Sequence, residues 1–169
     1  AGRGADLGAG WGYLSDQVLA CAPAVAALDL YEAQARALEL ARANLAAHVD
    51  RVALGFHWHD VTTGLARSDY DFIVSNPPYI SDEEYKALNT GVRDYEPKLA
   101  LAAGDGLDYY RIIARDAGRH IKPGGALVLE IGATQAADVT ALLADAGFTE
   151  ITTKKDYSGR DRIVTARQE

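Results

Sequence analysis

Methionine is missing from this chain of 169 residues, and cysteine occurs once, at Cys21. A single cysteine excludes a disulfide framework and a cysteine-rich zinc cluster. No apolar run approaches the ~20 residues that a membrane-spanning helix requires, and no signal-peptide pattern opens the chain. A reducing, cytoplasmic setting is therefore expected, with no membrane and no metal. Positive charge is also short: 17 Lys and Arg stand against 24 Asp and Glu, a formal net charge of −7. Gripping a nucleic-acid backbone unaided takes clustered Lys and Arg, so this balance argues against such a domain. Many soluble proteins are acidic, however, so the charge lowers that reading without removing it. Lacking Met and beginning at Ala1 inside a strand pattern, the chain is expected to be trimmed or engineered.

What is present is a regular alternation. Apolar residues make up 49% of the chain, enough for one ordinary folded domain. Strand patterns fall at 2–8, 24–30, 51–58, 71–76, 126–132, 148–154 and 161–167. Helical spacing falls at 11–22, 32–47, 107–121 and 134–146, with a short helix at 81–89. KPGG (122–125) reads as a turn, and KDYSGRD joins the last two strands as a hairpin loop. Between Pro77 and Asp105 the chain is polar and turn-rich, longer than an ordinary connection, and loops of that length are usually functional. The alternation predicts one α/β domain over 1–169: a Rossmann-like, seven-stranded, mostly parallel sheet with helices on both faces and the last strand antiparallel. Ligands of such a sheet sit beyond the strand carboxyl ends.

Candidate binding residues cluster at those ends. Asp6-Leu-Gly8-Ala-Gly10-Trp-Gly12 follows the first strand and opens a helix, where glycines let the backbone turn sharply and approach a ligand. The spacing is G-x-G-x-G rather than the dinucleotide G-x-G-x-x-G, and no phosphate-loop motif exists. A plain strand–helix turn is the alternative. Asp29 ends the second strand pattern, where an acid commonly binds ribose hydroxyls. Asp60 follows His57 and His59 at the end of the third, where a carboxylate can accept from an adenine amino group. Each acid alone also reads as a helix cap or a solvated charge. With Asn-Pro-Pro-Tyr (76–79) at the fourth strand end, the spacing resembles the class I S-adenosylmethionine-dependent methyltransferases over nearly the whole chain. The resemblance implies that Gly8, Gly10 and Gly12 approach the methionine part of the cofactor and that Asp6 lies near its amino group. It also places Asp29 on the ribose, Asp60 on the adenine and Asn76 beside the cofactor, with S-adenosyl-L-homocysteine as the product.

In that family the Asn-Pro-Pro-Tyr motif marks methylation of a nitrogen on a planar conjugated carbon. Such a nitrogen is a poor nucleophile because its lone pair is delocalised. The Asn76 side-chain oxygen and the Pro77 carbonyl are two acceptors for its two N–H groups; they aim it at the methyl donor and stabilise positive charge developing on it. Tyr79 packs on the flat group and tandem prolines stiffen the turn. A proline-terminated strand without chemistry is the bland alternative.

The match narrows downstream. PPYISDEEY, VRDYEPKLALAAGDGLDYYRII, KPGGALVLEIGATQ and KDYSGRDRIV resemble the release-factor glutamine N5-methyltransferases of the PrmC/HemK type, which act on the Gly-Gly-Gln loop of class 1 peptide chain release factors. Glu96 and Pro97 sit in that family's substrate-side loop and Glu130 in its LEIG strand, without assigned roles. The first half, with GRGADLGAGWGYLS and HWHDVTTGL, resembles bacterial small-subunit ribosomal RNA guanine-N2 methyltransferases, and Trp11 and Tyr13 are bulkier than the glutamine enzymes usually carry. The two resemblances meet near 75–79, so a chimeric join is expected there. The N-terminal helical domain with which the glutamine enzymes engage release factors is expected to be absent. The reading is thus a release-factor glutamine methyltransferase domain. Its rivals are ribosomal RNA guanine-N2 methylation, a folded chimera that binds cofactor without efficient turnover, and an NAD-type oxidoreductase, which the glycine spacing disfavours. His57 and His59 face one way along a strand but lack a third ligand and read as structural. Tyr109 and Tyr110 read as packing, Cys21 as core, and Arg160, Asp161 and Arg162 as a solvated turn.

Overall fold

The computed structural model describes residues 2–87 and 104–169. Strands β1 Gly2–Leu7, β2 Val25–Glu32, β3 Ala53–Trp58, β4 Tyr70–Ser75, β5 Ile121–Glu130, β6 Thr149–Lys155 and β7 Asp161–Arg167 form one sheet in the order β3-β2-β1-β4-β5-β7-β6. The first five run parallel, and β7 lies antiparallel between β5 and β6. Helices α1 Tyr13–Cys21, α2 Ala35–Asn44, α3 Asp82–Ala87, α4 Asp108–Ala117 and α5 Ala136–Asp145 supply the connections. The expected Rossmann-like sheet with one antiparallel strand is what forms.

Side-chain alternation divides the interior into two cores. Ala5 and Leu7 of β1 join Tyr110, Ile113, Val139 and Leu143 of α4 and α5 on one face. On the other, Leu28 and Leu30 of β2 meet Leu19, Leu38 and Ala41 of α1 and α2. Both faces of a parallel sheet must be covered in this way, because its strands carry apolar residues on each side. Along α4, Tyr110, Ile113, Ala114 and Ala117 recur at helical spacing and are buried together. Helix α5 stops at Gly147, whose φ of 88° reverses the chain. Gly147 N–H donates to the Ala144 carbonyl and Phe148 N–H to that of Leu143, and this closure drops Phe148 into the core.

Three expectations are corrected. The second helix is shorter than 32–47, because β2 continues through Glu32 before α2 begins at Ala35. KPGG is not a turn ahead of the strand but part of β5: Ile121 pairs with Tyr70 and Ala126 with Phe72, so residues 122–125 bulge outward. That bulge is held by Gly124 N–H on the Gln168 carbonyl and Gln168 N–H on the Gly125 carbonyl. Cys21, expected in the core, is exposed at the end of α1.

A buried polar chain crosses from β2 to β4. Tyr70 Oη donates to Asp29 Oδ2 at 3.0 Å, so the 2.8 Å contact between the two phenols has Tyr31 as donor. Burial pushes the Tyr70 hydroxyl far above its ordinary pKa. Tyr70→Phe would leave both Tyr31 and Asp29 short of a partner. It is expected to lower unfolding free energy by about 1–3 kcal/mol, read as a lower urea midpoint at unchanged slope.

Candidate active site

The site begins where β1 ends. Gly8 N–H and Ala9 N–H both donate to the Tyr31 carbonyl, at 2.9 and 3.0 Å, which folds the chain back over β2 before α1 starts. Gly8 and Gly10 have φ of 70° and 54°, and a Cβ on either would meet nothing within 4 Å. Open space therefore lies over both residues. Gly12 differs, since its Cβ would sit 3.2 Å from the Ala41 backbone, so it serves the close approach of α1 to α2 rather than the opening. Trp11 and Tyr13 stand outward with 56% and 60% exposure, their rings 5.6 Å apart.

Three acids were expected around this turn, and the structure sets them in different surroundings. Asp6 is fully buried at the end of β1; Ser15 Oγ donates to its Oδ2 at 2.6 Å, while Oδ1 has no partner among the described residues. Burial, opposed by the Ser15 bond and reinforced by the charge of Glu32, pushes its pKa up to about 7. Asp29 does not end β2. It pairs with Ala5 and Gly55 in mid-strand, and its carboxylate is taken up by Tyr70, by His57 Nε2 at 3.0 Å and by Arg3 Nη1 at 3.4 Å. The acid at the strand end is Glu32, which the sequence reading passed over. Its Oε2 accepts from Gly10 N–H and its Oε1 from Gln34 N–H, each at 2.8 Å. Asp60 lies beyond the end of β3, exposed, capping a short turn through Thr62 N–H at 2.9 Å. That bond holds its carboxyl below the ordinary range.

On the other side of β1, β4 delivers the Asn-Pro-Pro-Tyr turn. Leu7 and Ser75 are register partners, and Ser75 Oγ donates to the Leu7 carbonyl at 2.6 Å. Asn76 is exposed, with no partner for its side-chain amide among the described residues, whereas Pro77 is buried. Ser81 and Glu84 then bond reciprocally through side chain and backbone, a capping box that starts α3. Beyond Tyr79 opens a groove of about 710 Å³ bordered by Ser81, Glu84, Asp105, Asp138 and Arg162.

The remaining candidates are accounted for locally. His57 stacks on Tyr31 with ring centroids 4.6 Å apart, and His59 Nε2 contacts the Gly64 carbonyl at 2.6 Å, so both imidazoles have structural partners. Tyr110 donates to the Glu130 carbonyl and is core. Tyr109 is only half-buried; burial, and after it the charges of Asp60 and Glu32, raise its hydroxyl pKa. Burial also raises the Glu130 carboxyl, against the pull of Arg162. Arg162 is no free turn residue, since its guanidinium donates to the Ile131 carbonyl at 3.0 Å. Asp161 pairs with Lys155 at 2.6 Å. Glu96 and Pro97 lie outside the described residues.

A family model, the methyltransferase small domain, matches residues 1–93. The chain belongs to that family. A release factor glutamine methyltransferase of Caulobacter vibrioides is 45% identical over 161 residues, covering 94% of this chain and 55% of that protein. Its namesake from Cereibacter sphaeroides is 44% identical over 165 residues, covering 96% of this chain and 58% of that one. The chain thus spans little more than half the length of these curated relatives. Among solved structures, a methyltransferase from Pyrococcus furiosus superposes with a TM-score of 0.71 at 17% identity, over 99% of this chain and 75% of that chain, a likeness of fold. Among the described residues no helix is long and apolar enough to cross a membrane.

In this methyltransferase small domain the buried Asp6 leaves a thermodynamic signature. Its carboxyl titrates at about 7 in the folded chain against an ordinary 3.8. Between those values the folded state holds a proton that the unfolded chain has released. Its contribution to stability is therefore complete below the lower value and lost as pH rises through the upper one. Asp6→Asn should remove that decline. Urea unfolding of the two proteins across about pH 4 to 8 is expected to show the variant gaining on the wild type as pH rises.

Proposed function

We propose that this chain is the catalytic part of an S-adenosylmethionine-dependent N-methyltransferase whose substrate is the glutamine side-chain amide of class 1 peptide chain release factors. The observation that carries the reading is the juxtaposition across β1 and β4. Among the described residues, an open glycine turn with an orphaned buried carboxylate oxygen lies one strand away from an exposed Asn76 amide that has no partner. The names and identities of the two relatives support the substrate, and both alignments cover nearly the whole chain, including each side of 75–79.

The residues present fit the methyl donor. Open space over Gly8 and Gly10 admits the aminoacyl end, and Asp6 Oδ1, which has no partner among the described residues, suits its ammonium group. Glu32 at the end of β2 is the acid placed for ribose hydroxyls, in place of the mid-strand Asp29. Asp60, held ionised, is the acceptor for the adenine amino group, and half-buried Tyr109 walls the same side. When bound, S-adenosylmethionine supplies an electrophilic methyl group on a sulfonium.

The chain's own part is placement. Asn76 Oδ1 and the Pro77 carbonyl accept the two N–H groups of the substrate amide and orient its nitrogen for in-line attack. Positive charge developing on nitrogen meets two carbonyl dipoles, of which that of buried Pro77 is held by the proline-stiffened backbone. Tyr79 packs against the amide plane. The nitrogen afterwards gives one proton to water, so no enzyme nucleophile is required. A cytoplasmic setting, where release factors act, follows from this reading.

Calorimetric titration with S-adenosyl-L-homocysteine tests the cofactor half. Saturable binding is expected, weakened about tenfold or more by Glu32→Gln, which is about 1.4 kcal/mol. Transfer of radiolabelled methyl to an intact release factor tests the other half. Asn76→Ala should reduce it about 10²–10³-fold, a far larger loss than any change in S-adenosyl-L-homocysteine affinity. Transfer to small-subunit ribosomal RNA rather than to the release factor would overturn the substrate.

A further inference from the structure

We propose that Gln135 is a positioning residue of this site, whose side-chain amide clamps the Tyr79 end of the Asn-Pro-Pro-Tyr turn to the sheet. The inference rests on the function proposed above. Gln135 Nε2 donates one N–H to the Tyr79 carbonyl at 2.9 Å and the other to the Gly106 carbonyl at 3.0 Å. Its Oε1 accepts from Gly132 N–H at 2.9 Å. One amide thus joins three separate segments: the turn after β4, the loop before α4 and the turn after β5. A side-chain amide offers two donors and an acceptor, and here each has a backbone partner.

The surroundings are cut to this contact. A Cβ on Gly106, whose φ is 83°, would lie 2.7 Å from the Tyr79 carbonyl oxygen and 2.9 Å from Gln135 Nε2. On Gly132 it would lie 2.8 Å from Gln135 Oε1 and 3.4 Å from the Tyr79 ring. Any larger residue at either place would push the clamp apart. Gln135 is itself anchored: its N–H donates to the Gly132 carbonyl, its carbonyl accepts from Val139 N–H, and Val139 is fully buried. Pro77 and Pro78 restrict their own φ angles, but nothing in a proline fixes the residue that follows. Gln135 supplies that constraint, tying Tyr79 to α5 and so to the core. With its amide engaged by three backbone partners, Gln135 acts through Tyr79 and the acceptors before it.

The test compares wild type with Gln135→Ala and Gln135→Glu in the 169-residue chain. Glutamate keeps the shape and the acceptor for Gly132 but turns carboxylate oxygen toward two carbonyls, so it breaks the clamp without opening a cavity. Peptide-resolved amide exchange is expected to accelerate about tenfold or more over 79–81 in both variants, with β1 and β4 unchanged. Methyl transfer to a release factor should lose about 10²-fold in kcat with a smaller change in KM, and S-adenosyl-L-homocysteine affinity should stay within about twofold. Unchanged exchange over 79–81 would overturn the clamp. Accelerated exchange with undiminished kcat would overturn the positioning role. If the wild type itself transfers no methyl to a release factor, the proposed function fails, and the exchange result alone decides the clamp.

Discussion

Ser75 closes β4 by donating its hydroxyl to the Leu7 carbonyl, and the geometry of the site extends outward from that bond. The carbonyl belongs to the last residue of β1, just before the glycine turn, and the hydroxyl to the last residue of β4, just before Asn76. Because β1 and β4 are neighbours in the sheet though far apart in the chain, the order of strands reverses between them. Connections on the two sides of this reversal leave in opposite directions, and a crevice opens at the carboxyl ends. The bond fixes the height of its two lips relative to each other. Methyl transfer needs donor and acceptor at near-contact distance, so that relative height decides whether the residues on either lip can cooperate.

Much of this was legible in the residues. Alternating strand and helix patterns implied a parallel sheet with its ligands at one edge, and the glycine turn and the tandem prolines fell at that edge. Local signals suffice there because glycine and proline act on their own backbone, whatever surrounds them. The KPGG bulge was misread for the complementary reason. Its conformation is set by Gln168, a residue distant in sequence that bonds to both of its glycines, and no local pattern announces such a partner.

That Glu32 rather than Asp29 stands at the end of β2 shows how narrow the margin is. The two acids are three residues apart on one strand, so the period of two sends their side chains to opposite faces. Asp29 shares the face of Tyr31 and meets Tyr70 and His57, while Glu32 turns toward the glycine turn and α2. Which acid reaches the edge depends only on how far β2 extends, and strand ends follow from pairing with neighbours. Here Tyr31 pairs with both Leu7 and His57, and Glu32 with Trp58, so the strand continues past Asp29. The Gln135 clamp was still less visible, because two of its bonds reach backbone carbonyls, which every residue possesses.

Charge weighs on the choice between a protein and an RNA substrate. The chain carries a formal net charge of −7, and the groove beyond Tyr79 is bordered by Glu83, Glu84, Asp105 and Asp138, with Arg162 as the cation among the described residues. Asp105 is pulled down to about 2 by its bond from Arg111, and Glu84 is lowered by Ser81, so both are ionised at neutral pH. Among the described residues, a phosphate backbone entering this groove would meet like charge without the clustered Lys and Arg that release counterions and sustain binding. The glycine-flanked glutamine of the proposed function makes no such demand: its amide is neutral and its neighbours have no side chains, and in that proposal its two N–H groups go to Asn76 and Pro77. Among the described residues, the charge around this groove therefore favours the proposed neutral peptide loop over a nucleobase on a charged strand.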